Sequence, residues 1–225
     1  MTIKAWQGPS TIDGQDIMAV VSCEKRKSTN RKTGDMAQVA FFRTDQPPLD
    51  ASKSGADESV CGQCPMRPKL WTKEVSKEPC YVRLDWKKAQ WNAGNNAELD
   101  MSAAIKAMSK KPVRFGEYGN MSSIPRDVAE QLLQAADRWT LYEHEWQKDS
   151  NQWLRAAAMA SVHTKTEALE AHAMGWRTFR VMPEGDTPMD SEVVCPYETH
   201  KVQCKDCMLC MGQGKQAKSV CVTAH

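Results

Sequence analysis

The sequence predicts an α/β fold in which parallel βα repeats form a partial barrel or an open sheet, with cysteine-rich, metal-binding segments toward both ends. Three observations support this prediction. Strand-like and helix-like segments alternate from about residue 97 onward. Seven of the nine cysteines fall into two groups. No run approaches the roughly 18 consecutive apolar residues of a membrane span.

Composition indicates a water-soluble chain with a sizeable core. It has 225 residues, of which 41% are apolar, and its mean hydropathy is -0.60. Thirty basic against 28 acidic residues leave a net charge of +2, so total charge does not indicate a nucleic-acid binder. We expect one globular unit in which residues 1–60, with strands and a basic loop, pack on a metal-binding α/β domain of residues 61–225.

The N-terminal segment contains two predicted strands, at residues 17–22 and 37–42, because both runs are rich in apolar and β-branched side chains. Farther along the chain, Pro125 is expected in the first turn of a helix capped by Ser122 or Ser123. Thr164 and Glu167 have the spacing of a capping box. The remaining predicted strands and helices lie at residues 97–109 (helix), 112–115 (strand), 139–142 (strand), 157–161 (strand), 164–175 (helix), 178–182 (strand), 192–195 (strand) and 219–223 (strand).

Polar side chains follow several of these strands. Functional residues of parallel α/β folds collect at the carboxyl ends of the strands, so we expect Glu117, His144 and His163 to form one concave catalytic site. The alternative is that they are ordinary loop residues and helix caps. The residues expected to bind a cofactor at the same ends are Gly116, Tyr118, Asn120 and Ser161.

The C-terminal cysteine group predicts a metal centre. Cys204, Cys207 and Cys210 are each separated by two residues, which is the spacing of a bacterial ferredoxin run. Cys195, followed by a proline, supplies a fourth thiolate. The spacing favours a [4Fe–4S] cluster, and zinc is the alternative.

The N-terminal group, Cys61, Cys64 and Cys80, is one ligand short of a closed tetrahedron. Its fourth ligand is Cys23, a histidine, or none, and in the last case the metal keeps an open position for substrate or water. A structural zinc closed by Cys23 is one alternative, and a single site shared by both cysteine groups is another.

The charges and the start of the chain bear on partners and location. Lys25, Arg26, Lys27, Arg31 and Lys32 form the densest positive patch, which suits phosphate contacts or is a solvated loop. The first ten residues lack the apolar run of a secretory signal, and nine cysteines cannot all pair within one chain. We therefore expect a cytoplasmic protein whose clustered thiols hold metal, with no membrane partner.

Scattered motifs cover roughly residues 28–225. These motifs are Asn30-x-Lys32-Thr33-Gly34, Cys61-x2-Cys64-Pro65, Cys80-Tyr81, residues 139–144, residues 175–183, and Cys195-Pro196 with Cys204-x2-Cys207-x-Leu209-Cys210. Through them the chain resembles a family of small, cysteine-rich proteins encoded by phages, which implies action in the cytoplasm of a bacterial host.

More distantly, the layout is similar to a reduced radical-SAM enzyme, with three cysteines near the front, a partial parallel barrel and a C-terminal auxiliary cluster. This resemblance implies S-adenosylmethionine as a cofactor, with the turn from Gly116 to Gly119 at its methionine amine. The present cysteines are spaced by two and then fifteen residues, whereas that family uses three and then two.

Three functions follow from these features. The first is an iron–sulfur enzyme that modifies nucleotides or nucleic acid. The second is a zinc-stapled module that binds a host protein or nucleic acid. The third is a metal-stabilised structural protein without chemistry.

Overall fold

The computed structural model describes residues 1–23, 30–73, 79–214 and 216–224, and its architecture is α/β. The strands of these residues form two five-stranded sheets. They are β1 (Thr2–Pro9), β2 (Asp16–Ser22), β3 (Ala37–Arg43), β4 (Val113–Arg114), β5 (Trp139–Thr140), β6 (Tyr142–Glu143), β7 (Met159–Val162), β8 (Thr178–Met182), β9 (Glu192–Val194) and β10 (Ser219–Thr223).

The predicted parallel repeats describe the second sheet and part of the first. The second sheet has the order β6-β7-β8-β10-β9, and all its neighbours are parallel. The first has the order β1-β2-β3-β4-β5, in which β3, β4 and β5 are parallel. Its other pairs, β1–β2 and β2–β3, are antiparallel, so this sheet is mixed. A short turn with Gly14 at φ 76 joins β1 to β2, and so short a connection permits only antiparallel pairing.

The two sheets meet at Leu141, which separates β5 from β6. The Leu141 N–H donates to the carbonyl of Cys210 at 3.2 Å, and its carbonyl accepts from the Met159 N–H at 3.0 Å. The backbone of this one residue thus connects the first sheet, the second sheet and the C-terminal cysteine segment.

The helices connect and cover these strands. They are α1 (Pro48–Ser54), α2 (Glu58–Cys61), α3 (Leu84–Asn96), α4 (Met101–Met108), α5 (Arg126–Gln134), α6 (Lys165–Ala173), α7 (Pro196–His200) and α8 (Cys204–Cys207), with 3-10 turns at Met121–Ser123, Asp149–Ala156 and Gly212–Gly214.

Local sequence signals explain the start of α6 but not that of α5. The capping box at α6 is confirmed, because the Glu167 N–H donates to Thr164 Oγ1 at 3.1 Å and Glu167 Oε2 accepts from the Thr164 N–H at 3.0 Å. The expected serine cap of α5 is wrong. Ser122 and Ser123 lie in the preceding 3-10 turn, and Pro125 is the N-cap.

The largest hydrophobic cluster joins the N-terminal strands to the rest of the chain. It contains Ile17 and Val39 from the first sheet together with Leu132 from α5 and Ala168 from α6. A smaller cluster around Met159 packs near the C-terminal cysteines. No helix in the described part of the chain is both long and apolar enough to cross a bilayer.

A buried ionic network links the central strand and one edge strand of the second sheet. Arg180 on β8 is fully buried and donates to both carboxylate oxygens of Glu192 on β9, at 2.8 and 2.7 Å. It also donates to Asp186 at 2.5 Å and to the Thr187 carbonyl at 3.0 Å. The guanidinium therefore links the edge strand β9 and the loop before it to the central strand β8, across β10.

We expect Arg180→Ala to lower the free energy of unfolding by about 3–5 kcal/mol, because it leaves the buried Glu192 carboxylate without its cation. Urea unfolding measures the effect. Arg126→Ala is the control, since its exposed ion pair with Glu130 on α5 contributes about 0.3–0.5 kcal/mol. Equal losses in the two variants would contradict a structural role for the network.

Candidate metal centres

The C-terminal cysteines line one cavity. Cys195 lies between β9 and α7, Cys204 and Cys207 are the first and last residues of α8, and Cys210 follows a left-handed turn at Met208 (φ 53). The four residues border a common cavity of about 20 Å³. Two short helices and one turn therefore bring together four thiols from the segment between Cys195 and Cys210.

The second sheet forms an apolar wall of this cavity. Tyr142 and Phe179 contribute side chains whose ring centroids are 4.5 Å apart, and Val220 lies beside them. Burial raises the pKa of the Cys210 thiol to about 12, against the hydrogen bond with Tyr142, which lowers it. A metal that binds here must displace thiol protons, so its affinity depends on pH.

The loop before β3 holds the cysteine segment from the other side. The Cys204 N–H donates to the Lys32 carbonyl at 2.9 Å, and the Lys205 N–H donates to the Thr33 carbonyl at 3.1 Å. The ammonium of Lys32 lies 5.9 Å from the ring centroid of Tyr197. Lys25, Arg26 and Lys27, the core of the predicted basic patch, lie outside the described residues.

The N-terminal cysteines also lie near one another. Cys61 ends α2, the chain turns at Gly62 (φ 55), and the Cys64 N–H donates to the Cys61 carbonyl at 3.2 Å. The Cys80 N–H donates to the Met66 carbonyl at 2.8 Å, which brings that cysteine back to the loop. Burial raises the pKa of all three thiols, with that of Cys64 at about 12, and the neighbouring thiols raise the pKa of Cys61 further.

A buried arginine fixes the loop that carries Cys61 and Cys64. Arg67 is 4% exposed and pairs with Asp57, which is 2% exposed. Its other nitrogens donate to the carbonyls of Gly55 and Gly62, each at 2.7 Å. These bonds pair the buried charge of Arg67 with that of Asp57 and give the two loop carbonyls a hydrogen-bond donor. The sequence offers no pattern that singles out this pair.

The other two cysteines occupy separate places. The Cys23 thiol lies 3.8 Å from the Ala107 carbonyl, and the Cys221 thiol lies 3.5 Å from the Val193 carbonyl. No interaction of the described residues joins Cys23 to the N-terminal group. The geometry therefore gives no support to Cys23 as its fourth ligand.

None of the nine cysteines, all of which lie in the described residues, is in a disulfide. Over residues 1–23, 30–73, 79–214 and 216–224, no group of three or more His, Cys, Asp or Glu side chains is arranged to hold a metal ion. The C-terminal thiols thus line a cavity without forming a single-ion site.

Strand register brings the two predicted catalytic histidines to one rim. Tyr142 pairs with Met159 in the parallel β6–β7 ladder, and continuing this register puts His144 beside Ser161, with His163 two residues farther on the same face. Burial lowers the pKa of both imidazoles, to about 3 for His144, and nearby His163 contributes to the shift of His144. Both rings are therefore neutral at pH 7.

The environments of these histidines differ. His144 Nδ1 lies 2.8 Å from Asn120 Oδ1, and Asn120 Nδ2 donates to the Cys61 carbonyl at 3.0 Å. Both ring nitrogens of His163 are buried and have no hydrogen-bond partner within the described chain. Asn120 thus links the histidine rim to the N-terminal cysteine loop.

Glu117 is engaged elsewhere. Its carboxylate forms an ion pair with Lys87 of α3 at 2.5 Å, and in the described part of the chain no interaction joins it to His144 or His163. Gly116, one residue earlier, has φ 63, and a Cβ there would lie 2.8 Å from the Gly119 carbonyl oxygen. The turn after β4 therefore requires glycine for a structural reason.

The predicted cofactor residue Tyr118 lies at the N-terminal cysteine group. Its ring stacks on Phe42 with centroids 5.7 Å apart, and its buried hydroxyl lies beside the Cys61 thiol. Burial, followed by the electrostatic effect of Cys61, raises the pKa of Tyr118. Tyr118 and Asn120 therefore both border the loop of Cys61, which the sequence does not indicate.

No protein-family model, curated protein or solved structure matches this chain. The resemblances to phage-encoded cysteine-rich proteins and to radical-SAM enzymes therefore stay predictions.

From the buried carboxyl of Glu143 we expect the free energy of unfolding to depend on pH. Burial raises its pKa to about 7, although hydrogen bonds from the Glu145 N–H and from Ser122 oppose the shift. Between about pH 4.5 and 7 the folded chain keeps a proton that the unfolded chain releases, so stability falls as pH rises, by up to about 1.4 kcal/mol per pH unit. We expect Glu143→Gln to remove this decline in urea unfolding across that range.

Glu130→Gln, which removes an exposed carboxylate from α5, is the matched control and should retain the decline. A Glu143→Gln protein with the same pH profile as the control would contradict the assignment.

Proposed function

We propose that this protein is an iron–sulfur protein in which Cys195, Cys204, Cys207 and Cys210 hold a [4Fe–4S] cluster. The observation that carries the proposal is that these four cysteines line one cavity and that none of them is in a disulfide. Each thiolate of such a cluster bonds a different iron, so the sulfurs surround a volume. The spacing of two residues between successive cysteines supports the same cofactor.

The C-terminal segment of residues 196–211 has little apolar burial to stabilise its fold. Among residues 196–211, Met208 alone is buried, and neither α7 nor α8 buries a residue. Ordering a residue costs about 1–2 kcal/mol of backbone entropy, which this apolar burial does not offset. Metal–thiolate bonds compensate, because their binding free energy becomes folding free energy.

The N-terminal cysteine group is the reason for proposing an enzyme. Cys61, Cys64 and Cys80 supply three thiolates, and a centre with three protein ligands keeps one position for substrate. His144, linked to this loop through Asn120, is the adjacent proton-transfer group, and His163 is its neighbour. We propose nucleotides or nucleic acid as substrates. The proposal also includes a phage-encoded protein that acts in the bacterial cytoplasm and whose strands form a partial barrel.

A second candidate is a zinc-stapled module that binds a host protein or nucleic acid. The volume of the C-terminal cavity, about 20 Å³, favours it, because a single water already needs about 10–15 Å³. A cluster of eight atoms requires the thiols to move outward. Zinc requires them to move inward, to about 2.3 Å from a common centre.

Anaerobic purification followed by visible absorption and analysis of iron, acid-labile sulfide and zinc tests these proposals. Broad visible absorption with about four irons and four sulfides per C-terminal site supports the first. A colourless protein with stoichiometric zinc supports the second. A protein that binds neither overturns both.

We expect Cys207→Ala to lose the metal of the C-terminal centre and to make residues from about 196 onward sensitive to protease, while the strands before them persist. The reason is that thiolate bonding replaces the missing apolar core of that segment. Metal analysis and limited proteolysis with mass spectrometry measure the two effects.

Cys221→Ala is the control, because this buried cysteine lies on β10 outside the cavity. Full metal content and unchanged proteolysis of Cys207→Ala would contradict the assignment.

If nucleic acid is a substrate, the basic residues 25–32 should contribute to its binding. Replacing Lys25, Arg26 and Lys27 with Ala should flatten the dependence of log K on log salt, since each phosphate contact contributes a slope of about 0.7–0.9. Fluorescence anisotropy of labelled DNA and RNA measures this slope. No binding to either at low salt would remove nucleic acid from the proposal.

A further inference from the structure

We propose that Arg114 and Arg177 are the counter-ions of the C-terminal metal centre. Their positive charges raise the affinity of this centre for metal, and they raise the reduction potential of an iron–sulfur cluster held there. Both arginines act on the centre through its thiolates and are positioning residues, not ligands. The inference rests on the proposed function, because it requires a metal at the four C-terminal cysteines.

A centre with four thiolates needs positive charge nearby. A zinc ion, or a [4Fe–4S] core with two positive charges, keeps two negative charges in excess when four thiolates bind it. Charge is costly to remove from water unless an opposite charge lies close to it. The described residues that line the cavity include one cation, Lys32, and no carboxylate. A loaded centre therefore requires further cations close to this cavity.

Arg114 lies at the wall of the cavity. It is on β4 and pairs with Thr140 of β5, which lines the cavity. Its guanidinium lies 6.0 Å from the ring centroid of Tyr142, another lining residue. Burial raises the pKa of the Cys204 thiol, and among the effects that lower it the charge of Arg114 is the largest. The guanidinium is thus close enough to act on a thiolate.

The charge of Arg114 has no ion-pair partner in the described part of the chain. The carboxylate of Glu117 interacts with it electrostatically, but the ion pair of Glu117 is with Lys87. Arg114 Nη2 donates to the hydroxyl of Tyr81 at 2.7 Å, and its buried Nε has no hydrogen-bond partner. A neutral hydroxyl satisfies a donor and leaves the positive charge in place.

Arg177 holds the segment that carries Cys210. Its guanidinium donates to the carbonyls of Leu209 at 2.9 Å, Gly212 at 2.7 Å and Lys218 at 2.5 Å. Carbonyls carry no net charge, and no ion pair of Arg177 exists among the described residues; its buried Nε also lacks a hydrogen-bond partner. Burial lowers the pKa of Arg177, whereas Cys210 raises it. A thiolate at Cys210 therefore stabilises this cation.

Metal binding and reduction both add negative charge beside these arginines. Thiols that bind metal become thiolates, so the centre changes from neutral side chains to an anion. Uptake of one electron by a [4Fe–4S] core makes the whole centre more negative by one charge, with dithionite as the electron donor in the experiment below. Nearby cations favour each product, and net charge is one of the factors that set the potential of such clusters.

Competition with a chromophoric chelator for Zn²⁺ and Co²⁺ measures the affinity of the full chain under anaerobic conditions. The binding that Cys207→Ala removes belongs to the C-terminal centre. We expect Arg114→Gln to weaken that binding about tenfold, which corresponds to about 1.4 kcal/mol, and Arg114→Lys, which keeps the charge, to restore most of it. Equal affinities of Arg114→Gln and the wild type would overturn the role of Arg114.

Tyr81→Phe is the matched control for Arg114. It removes the hydrogen bond to the guanidinium and leaves the charge, so it should bind metal as the wild type does. A loss as large as that of Arg114→Gln would show that the contact matters and the charge does not, which would overturn the role of Arg114.

Arg177→Gln should also weaken metal binding about tenfold, and Arg126→Gln, which removes an exposed cation from α5, should not. Circular dichroism checks that each variant folds, because Arg177→Gln also loses bonds to three carbonyls. If it does not fold, Arg177→Met, which keeps an apolar stem, replaces it. Wild-type affinity of the neutral variant would overturn the role of Arg177.

Reductive titration with dithionite, followed by electron paramagnetic resonance, measures the potential of a protein that holds a cluster. Each neutral arginine variant should lower the midpoint potential by about 59 mV, which is a tenfold change for one electron. Arg126→Gln should leave it unchanged. Unchanged potentials in both arginine variants would overturn the effect on reduction.

Metal content separates this inference from the proposed function. A wild type that takes up no Zn²⁺, Co²⁺ or iron at the C-terminal cysteines would overturn the proposed function and this inference with it. A wild type that binds metal there, with an affinity that neither neutral arginine variant changes, would overturn this inference alone.

Discussion

Leu141 is the residue on which the arrangement of the molecule depends. Its N–H donates to the Cys210 carbonyl and its carbonyl accepts from the Met159 N–H, so the link between β5 and β6 joins the two sheets and also supports the C-terminal cysteines. A buried backbone group without a partner is costly, and each of these bonds therefore restricts where the neighbouring segments can lie. The strand β6 begins directly after Leu141 and supplies Tyr142 to the wall of the cysteine cavity. The histidine rim lies after β6 and β7, and β7 begins at Met159, the residue bonded to the Leu141 carbonyl.

Sequence reasoning succeeds where a local signal has one structural outcome. Thr164 and Glu167 satisfy each other's backbone groups, so the start of α6 is set by four residues. It fails for α3, because only Leu84 and Gly94 of that helix are buried, which leaves no apolar stripe to recognise. The strand β1 is also missed, although the buried Ile3 and Ala5 alternate with more exposed residues.

The candidate site shows the same division. Parallel register places His144 beside Ser161, with His163 two residues farther along, because each histidine follows its own strand. The pairing of Glu117 with Lys87 depends on α3, whose presence the sequence does not indicate. The contacts of Tyr118 and Asn120 with the Cys61 loop depend on Arg67 and Asp57, and no periodicity or motif marks such a tertiary ion pair. Residues held by their own strand are thus predictable, and residues held by a distant partner are not.

The bonds between the loop before β3 and the C-terminal segment have a consequence for the order of folding. The side chain of Gln203 donates to the Arg31 carbonyl, a contact between residues 172 positions apart. Closing a loop of that length costs about 4–5 kcal/mol in chain entropy, which must be offset by structure formed earlier. The contact forms only after residue 203 has been synthesised, when most of the chain has left the ribosome. A nascent chain stalled before residue 203 would lack the segment that borders Tyr142 and Phe179 and would leave this apolar wall exposed, which favours aggregation.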